Sequence, residues 1–234
     1  MTDLFDLSGK VALITGSTRG IGRAIAEAMA ARGARVVISS RKPEACERVA
    51  GEIGAAAVPI ACNISDDAAI EALVEACEAR LGPPDILVCN AAVNPYMGPF
   101  LDTPDDAFDK TIAVNIRANM RLCRRVIPGM QARRDGAIVV VSSIAAFKGS
   151  EHLGLYAVTK AADTQIVRNL AVENGRYASN LTIEMGSEAL AEVEESGVTI
   201  SEVDLAPFKE AVMPVYEMLD LTSEAEMVKE VLGQ

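Results

Sequence analysis

A doubly wound α/β fold, with a parallel sheet covered by helices on both faces, is what this 234-residue chain predicts. Three observations carry the expectation. Five short runs rich in branched residues alternate with segments of helical period. The runs are almost purely apolar, as strands buried on both faces must be. A glycine-rich turn also joins the first run to the first helical segment, where an open α/β sheet binds its ligands.

The elements follow in order. Lys10–Thr15 (KVALIT) is a short apolar run between Gly9 and Gly16 and predicts the first strand. Gly20–Arg32 carries Ile21, Ala24, Ile25, Ala28 and Met29 at helical spacing and stops at Gly33. Arg35–Ser39 is the second strand, and Pro43–Ile53 a helix with proline in its first turn. Ala57–Ala61 is a third strand. Asp66–Arg80 is a helix, opened by an acidic cap and closed by a cation that suits its dipole. Asp85–Cys89 is the fourth strand, followed by a loop rich in Pro and Gly as far as Pro104. A long helix is predicted over Asp105–Ala132 with an interruption near Pro128, then a strand at Ala137–Val141 and a helix at Leu155–Asn174. Three layers result, helices over sheet over helices.

Composition narrows the function. Half the residues are hydrophobic, enough for a sizeable core and too many for a disordered chain. Asp3 and Asp6 stand where a secretory leader would be basic, and no apolar run approaches the ~18 residues that cross a bilayer. The five cysteines (Cys46, Cys62, Cys77, Cys89, Cys123) are odd in number and form no CxxC pair, which suggests neither a disulfide framework nor a zinc site. A cytoplasmic protein is expected. The net charge of -11 is concentrated in one place: residues 1–178 hold 20 basic and 20 acidic side chains, residues 179–234 hold 2 and 13. An acidic balance argues against a nucleic-acid partner. The break near Ala178 separates an expected nucleotide-binding domain, residues 1–178, from an atypical acidic segment, residues 179–234, expected to pack on it.

Several motifs carry chemistry. Gly16, Ser17, Thr18, Arg19, Gly20, Ile21 and Gly22 follow the first strand with the spacing GxxxGxG. Glycines there let the backbone turn and approach a pyrophosphate, whose charge rests on the helix N-terminus. A tight turn without a ligand would read similarly, but the strand before it and the helix after it favour phosphate. After the second strand, an NAD site usually shows a carboxylate for the ribose; this chain has Ser39, Ser40, Arg41 and Lys42. A hydroxyl and a guanidinium suit a 2′-phosphate, which Arg19 could also reach, unless these are ordinary solvated charges. Tyr156 and Lys160, four apart, share one helix face. A cation beside a phenol favours the phenolate and makes tyrosine usable as a general acid and base. Ser142 and Ser143 end the fifth strand, as reactive or as capping hydroxyls. Asn90 closes the fourth strand and Asn115 sits within the long helix, each either a site residue or a buried amide tying two elements together. His152 stands alone and reads as solvated, and without a carboxylate cluster no metal site is expected.

Taken in register, these pieces make residues 5–178 resemble the short-chain dehydrogenase/reductase family. Thr15–Gly22 matches its TGxxxGxG loop, Asn90-Ala91-Ala92 its NAG-type element and Asn115 its fourth-helix asparagine. Ser143 lies thirteen residues before Tyr156, and Tyr156–Lys160 is its YxxxK. The resemblance implies a Rossmann-type fold and an oxidoreductase acting on a ketone, aldehyde or secondary alcohol. It implies Tyr156 as proton donor, Lys160 tuning it and holding the ribose, Ser143 orienting the carbonyl and Asn115 holding a proton-relay water. Ser40, Arg41 and Arg19 look like its NADP-preferring members, and Asn63 stands where the family usually has an Asp near the adenine. A homodimer or homotetramer through Asp105–Ala132 and Leu155–Asn174 is implied as well.

Beyond Tyr177 the likeness fades. The family's sixth strand, its nicotinamide-holding threonine and its substrate-covering helices have no counterpart. Instead Leu181–Met185 and Val198–Val203 read as strands, and Ser187–Ser196, Pro207–Leu219 and Ser223–Leu232 as helices. Glu195–Leu219 is similar to the C-terminal end of TRAP-type periplasmic solute-binding proteins. The alternative expectation is therefore an NADP-binding, reductase-like protein with little or no turnover.

Overall fold

A computed structural model describes residues 5–195, with side chains as far as Asn174. Strands β1 (Val11–Thr15), β2 (Arg35–Ser39), β3 (Ala57–Pro59), β4 (Ile86–Cys89) and β5 (Ala137–Val140) alternate with helices α1 (Gly20–Ala31), α2 (Pro43–Ile53), α3 (Asp67–Leu81), α4 (Asp105–Ile112), α5 (Ala118–Arg133) and α6 (Gly154–Glu195). The chain divides into two units, Met1–Gly175 and Arg176–Gln234, and all five strands belong to the first.

The sheet order is β3-β2-β1-β4-β5, and every neighbouring pair is parallel. The chain steps outward from β1 in one direction through β2 and β3, then restarts on the other side with β4. The reversal between β1 and β4 opens a crevice at their carboxyl ends, where doubly wound sheets bind ligands. The strand sequences fit this position. Val11 and Leu13 of β1 pack on one face with Leu87, Leu122 and Val126, while Ala12 and Ile14 pack on the other with Val36, Ile38 and Val49. Both faces are dry, so no polar alternation survives in the strand.

Two expectations need correction. The long fourth helical segment is not interrupted at Pro128, which α5 carries inside it. The irregularity lies earlier, in a π-helical turn at Ala113–Arg117 that contains Asn115. Within this widened turn the Asn115 carbonyl accepts from the Asn119 side-chain amide at 2.8 Å. The second correction concerns Leu181–Met185, read as a strand. It lies within α6, which continues past Asn174 to Glu195. Strong helix formers (Glu184, Met185, Glu188, Ala189, Leu190, Ala191, Glu192) surround the three branched residues and outweigh them. Among the described residues β5 therefore pairs only with β4, and Val139 on its open face is 46% exposed. Val198–Val203, Pro207–Leu219 and Ser223–Leu232 lie outside the described residues.

Candidate active site

The glycine loop is built from β1 outward. Gly16 (φ +65°) and Gly20 (φ +56°) occupy the left-handed region, which other residues enter only with strain. Gly22 has a different reason: a Cβ there would lie 2.4 Å from Asn90 Nδ2 and 2.5 Å from the Gly16 carbonyl oxygen. The loop is pinned from below. Ser17 Oγ donates to the Ile14 carbonyl at 2.7 Å and accepts from the Ser39 amide at 2.8 Å. Thr15 Oγ1 accepts from the amides of Asn90 and Ala91 at 3.1 Å and donates to the Val88 carbonyl. Asn90 Nδ2 donates to the carbonyls of Thr15 and Gly16. Asn90 and Ser17 thus shape the loop from within, Thr18 is half-buried, and Arg19, Gly20 and Ile21 face outward.

The start of α1 lacks the usual polar cap. Arg19 occupies the cap position with no side-chain bond, and the first turn holds no acidic residue. At α3, by contrast, Asp66 accepts from the amides of Ala68 and Ala69. An uncapped N-terminus beneath a glycine cradle leaves its N–H groups to an anion. Nothing stands within 4 Å of a Cβ built on Gly20, so the approach is open. The residues present fit a dinucleotide's pyrophosphate.

Beside the cradle, β2 ends at Ser39. The amide and hydroxyl of Ser40 stand 3.2 and 3.3 Å from Cys46 Sγ, and its carbonyl accepts from the Cys62 amide. Arg41 and Lys42 are exposed, on the same edge of the sheet as the exposed Arg19. Asn63 is exposed too, and its Oδ1 accepts from the Ser65 amide in the turn before α3.

Across the crevice, α6 presents Tyr156 and Lys160. Tyr156 is half-buried, Lys160 is buried, and the ammonium lies 5.9 Å from the centre of the phenol ring. Lys160 Nζ donates to the Val141 carbonyl at 2.8 Å and to Asp163 Oδ2 at 2.9 Å. Ser142 Oγ donates to the Lys160 carbonyl, and Ser143 Oγ accepts from the Ala145 amide as it opens a short 3-10 turn. These bonds bring the end of β5 against the first turns of α6. Asn115 is fully buried: Oδ1 accepts from the Val93 amide, while Nδ2 donates to the Val93 carbonyl and to Thr159 Oγ1. It ties the loop after β4 to α6 beside Lys160. His152 is exposed, its carbonyl accepts from the Gly98 amide and its own amide donates to Ser150 Oγ.

Sequence reasoning missed Asn119 and Asp163, which join this cluster from α5 and α6. A signal existed: each is a polar residue one helical turn beyond a candidate, Asn115 and Lys160. Behind them Cys89 and Cys123 are buried. The Cys89 thiol is pushed well above the ordinary thiol range, by its hydrogen bond to Cys123 first and burial second.

The profile of the short chain dehydrogenase family matches residues 10–209. The chain belongs to that family. Dehydrogenase/reductase SDR family member 4 of Bos taurus is 41% identical over 170 residues, which cover 71% of this chain and 61% of that protein. The human dehydrogenase/reductase SDR family member 2, mitochondrial, is 41% identical over 170 residues, 71% of this chain and 60% of the relative. The chain thus spans about three fifths of the curated relatives it matches. Among solved structures, 3-ketoacyl-(acyl-carrier-protein) reductase from Brucella melitensis, complexed with NADH, is similar with a TM-score of 0.70 and 36% identity. That match covers 73% of this chain and 72% of the reductase.

Proposed function

We propose that this short chain dehydrogenase moves a hydride between NADP(H) and a ketone, aldehyde or secondary alcohol. The observation that carries the reading is the buried Lys160 ammonium beside the half-buried Tyr156 phenol. The phenol hydroxyl of Tyr156 can give a proton to a nascent alkoxide or take one from an alcohol. Ser143, at the end of β5, donates a hydrogen bond to the same substrate oxygen. Gly16, Ser17, Thr18, Arg19, Gly20, Ile21 and Gly22 cradle the pyrophosphate. Ser40 and Arg41, with Arg19, hold a 2′-phosphate, and Asn63 lies toward the adenine. Asn90 supports the cradle, and Asn115 supports the catalytic helix. The bound nicotinamide supplies the hydride chemistry. The family supports a nicotinamide cofactor in general; the choice of NADP rests on Arg19 and Arg41, both exposed and without a carboxylate partner among the described residues. The test is consumption of NADPH with a panel of cyclohexanone, benzaldehyde and an acetoacetyl ester, repeated with Tyr156→Phe. Turnover abolished by the substitution supports the reading, and turnover that survives it rejects it.

A second reading is an NADP-binding protein with little turnover. It is favoured by α6 running through Leu181–Met185, so that among the described residues β5 pairs with β4 alone. NADPH binding without turnover of any panel member distinguishes it. A cytoplasmic homodimer or homotetramer built on α4, α5 and α6 completes the proposal, supported by the exposed Phe108, Met120, Val167 and Val172 on those helices. Sedimentation at high concentration tests it. No helix among the described residues is long and apolar enough to cross a membrane.

A further inference from the structure

Lys160 and Asp163 lie one turn apart on α6, 3% and 0% exposed. The ammonium donates to Asp163 Oδ2 at 2.9 Å, and the other carboxylate oxygen, Oδ1, accepts from Asn119 Nδ2 at 2.9 Å. That same Nδ2 donates to the Asn115 carbonyl, so both donors of the amide are spent. Asn119 Oδ1 is buried and has no hydrogen-bond partner. A buried amide oxygen left unpaired is costly and calls for an explanation. Here the explanation is geometric. Turning the amide over would set its oxygen against two acceptors, Asp163 Oδ1 and the Asn115 carbonyl. The acceptor is sacrificed so that the donors stay on the carboxylate.

A buried ion pair of this kind adds little stability over an apolar pair of the same shape, so stability alone does not account for it. We propose that Asn119 and Asp163 are a positioning pair for Lys160. Resting on the acid/base reading of Tyr156, the pair does two things. It fixes the ammonium against the Val141 carbonyl at the end of β5, on the side of the crevice. It also draws off part of the ammonium's field, and so sets the pH at which Tyr156 exchanges its proton. The titratable groups facing the pair are Lys160 on its own helix and the thiol of Cys89 on β4, backed by Cys123 on α5. The Cys89 thiol, raised by Cys123 and by burial, stays protonated at neutral pH, while the same contact with Cys89 lowers Cys123.

Three variants test this: Asp163→Asn, which keeps the shape and removes the charge, Asn119→Ala, and Lys160→Met. The readouts are NADPH affinity, from its own fluorescence, and the pH of half-maximal oxidation of the best alcohol of the panel. With Asp163→Asn the ammonium acts on the phenol unopposed, and the midpoint should fall by about half a pH unit or more. With Asn119→Ala the carboxylate loses its amide donor, pulls harder on Lys160, and the midpoint should rise by a smaller amount. Opposite movements are a signature that a purely structural role does not produce. NADPH affinity should weaken several-fold in Asp163→Asn, and adding that change to Lys160→Met should weaken it no further. Midpoints that stay in place while only melting temperatures change would overturn the proposal. If the unaltered chain binds NADPH without turnover, the reading of Tyr156 fails separately. The pair is then judged on affinity, and equal effects of Asp163→Asn with and without Lys160 overturn it, as does absence of NADPH binding.

Discussion

Asn90 and Gly22 face each other at the carboxyl end of the sheet so closely that no side chain fits between them. Asn90 Nδ2 stands 2.4 Å from where a Cβ on Gly22 would be, while it donates to the carbonyls of Thr15 and Gly16. The third glycine of the loop is therefore required by contact, since its backbone is ordinary helix.

Gly22→Ala should be among the most damaging small substitutions in the cradle. The methyl group would press on the Gly16 carbonyl, which is backbone and cannot swing away. Overpacking of this kind costs about 1–3 kcal/mol. Urea unfolding should show that loss, and NADPH titration a weakening of tenfold or more, on the order of 1.4 kcal/mol. Unchanged affinity would mean that the cradle does not hold the cofactor.

Thr15→Val tests the floor of the same loop. The hydroxyl is buried and serves two amides and one carbonyl. Valine keeps the shape and leaves the amides of Asn90 and Ala91 without that acceptor, at a cost of about 1–3 kcal/mol. The midpoint in urea should drop with its slope unchanged.

Charge governs the cofactor prediction. With Arg19 and Arg41 on a 2′-phosphate, NADPH should bind at least tenfold tighter than NADH, since charge-assisted bonds contribute roughly 1.5–3 kcal/mol. Arg41→Asp should erase or invert that preference. Equal affinities in the unaltered protein reject the assignment.

The thiols set an alkaline limit. Burial, aided by Asp66, pushes Cys62 up to about 11, and burial, aided by Glu78, pushes Cys77 up to about 12. A thiol that holds its proton more tightly when folded stabilises the fold fully below the unfolded value of ~8.5. That contribution is lost as pH rises through the folded value. Melting temperature should therefore decline from about pH 8.5 upward, and replacing both cysteines with alanine should flatten the decline. All five cysteines are buried, so iodoacetamide labelling at neutral pH should be slow until urea unfolds the chain.

Much of the fold was legible because the signals are local. β2 and α2 fall on the residues their sequence predicts, since a Gly or Pro boundary and an apolar period need no distant partner. Asp66 announces α3 for the same reason: its carboxylate caps amides two and three residues on. Pro128 misled. Proline removes one hydrogen bond from a helix, but α5 is held by Leu122, Val126 and Met130 in the core and continues through it. Leu181–Met185 misled as well, because three apolar residues alternating with Thr182 and Glu184 over only five positions match a short strand without excluding a helix.

Within the site the division is sharper. The sequence by itself determined the candidates that chemistry marks: the glycines of the loop, the Tyr156 and Lys160 pair one turn apart, and the hydroxyls after β5. Only the tertiary structure decided what each candidate touches. Asn90 meets Thr15 across 75 residues, and Asn119 meets Asp163 across 44. Nothing near either residue in the chain names its partner. A polar side chain's role is set by the donors and acceptors buried with it, and the packing of α5 and α6 against the sheet brings those together.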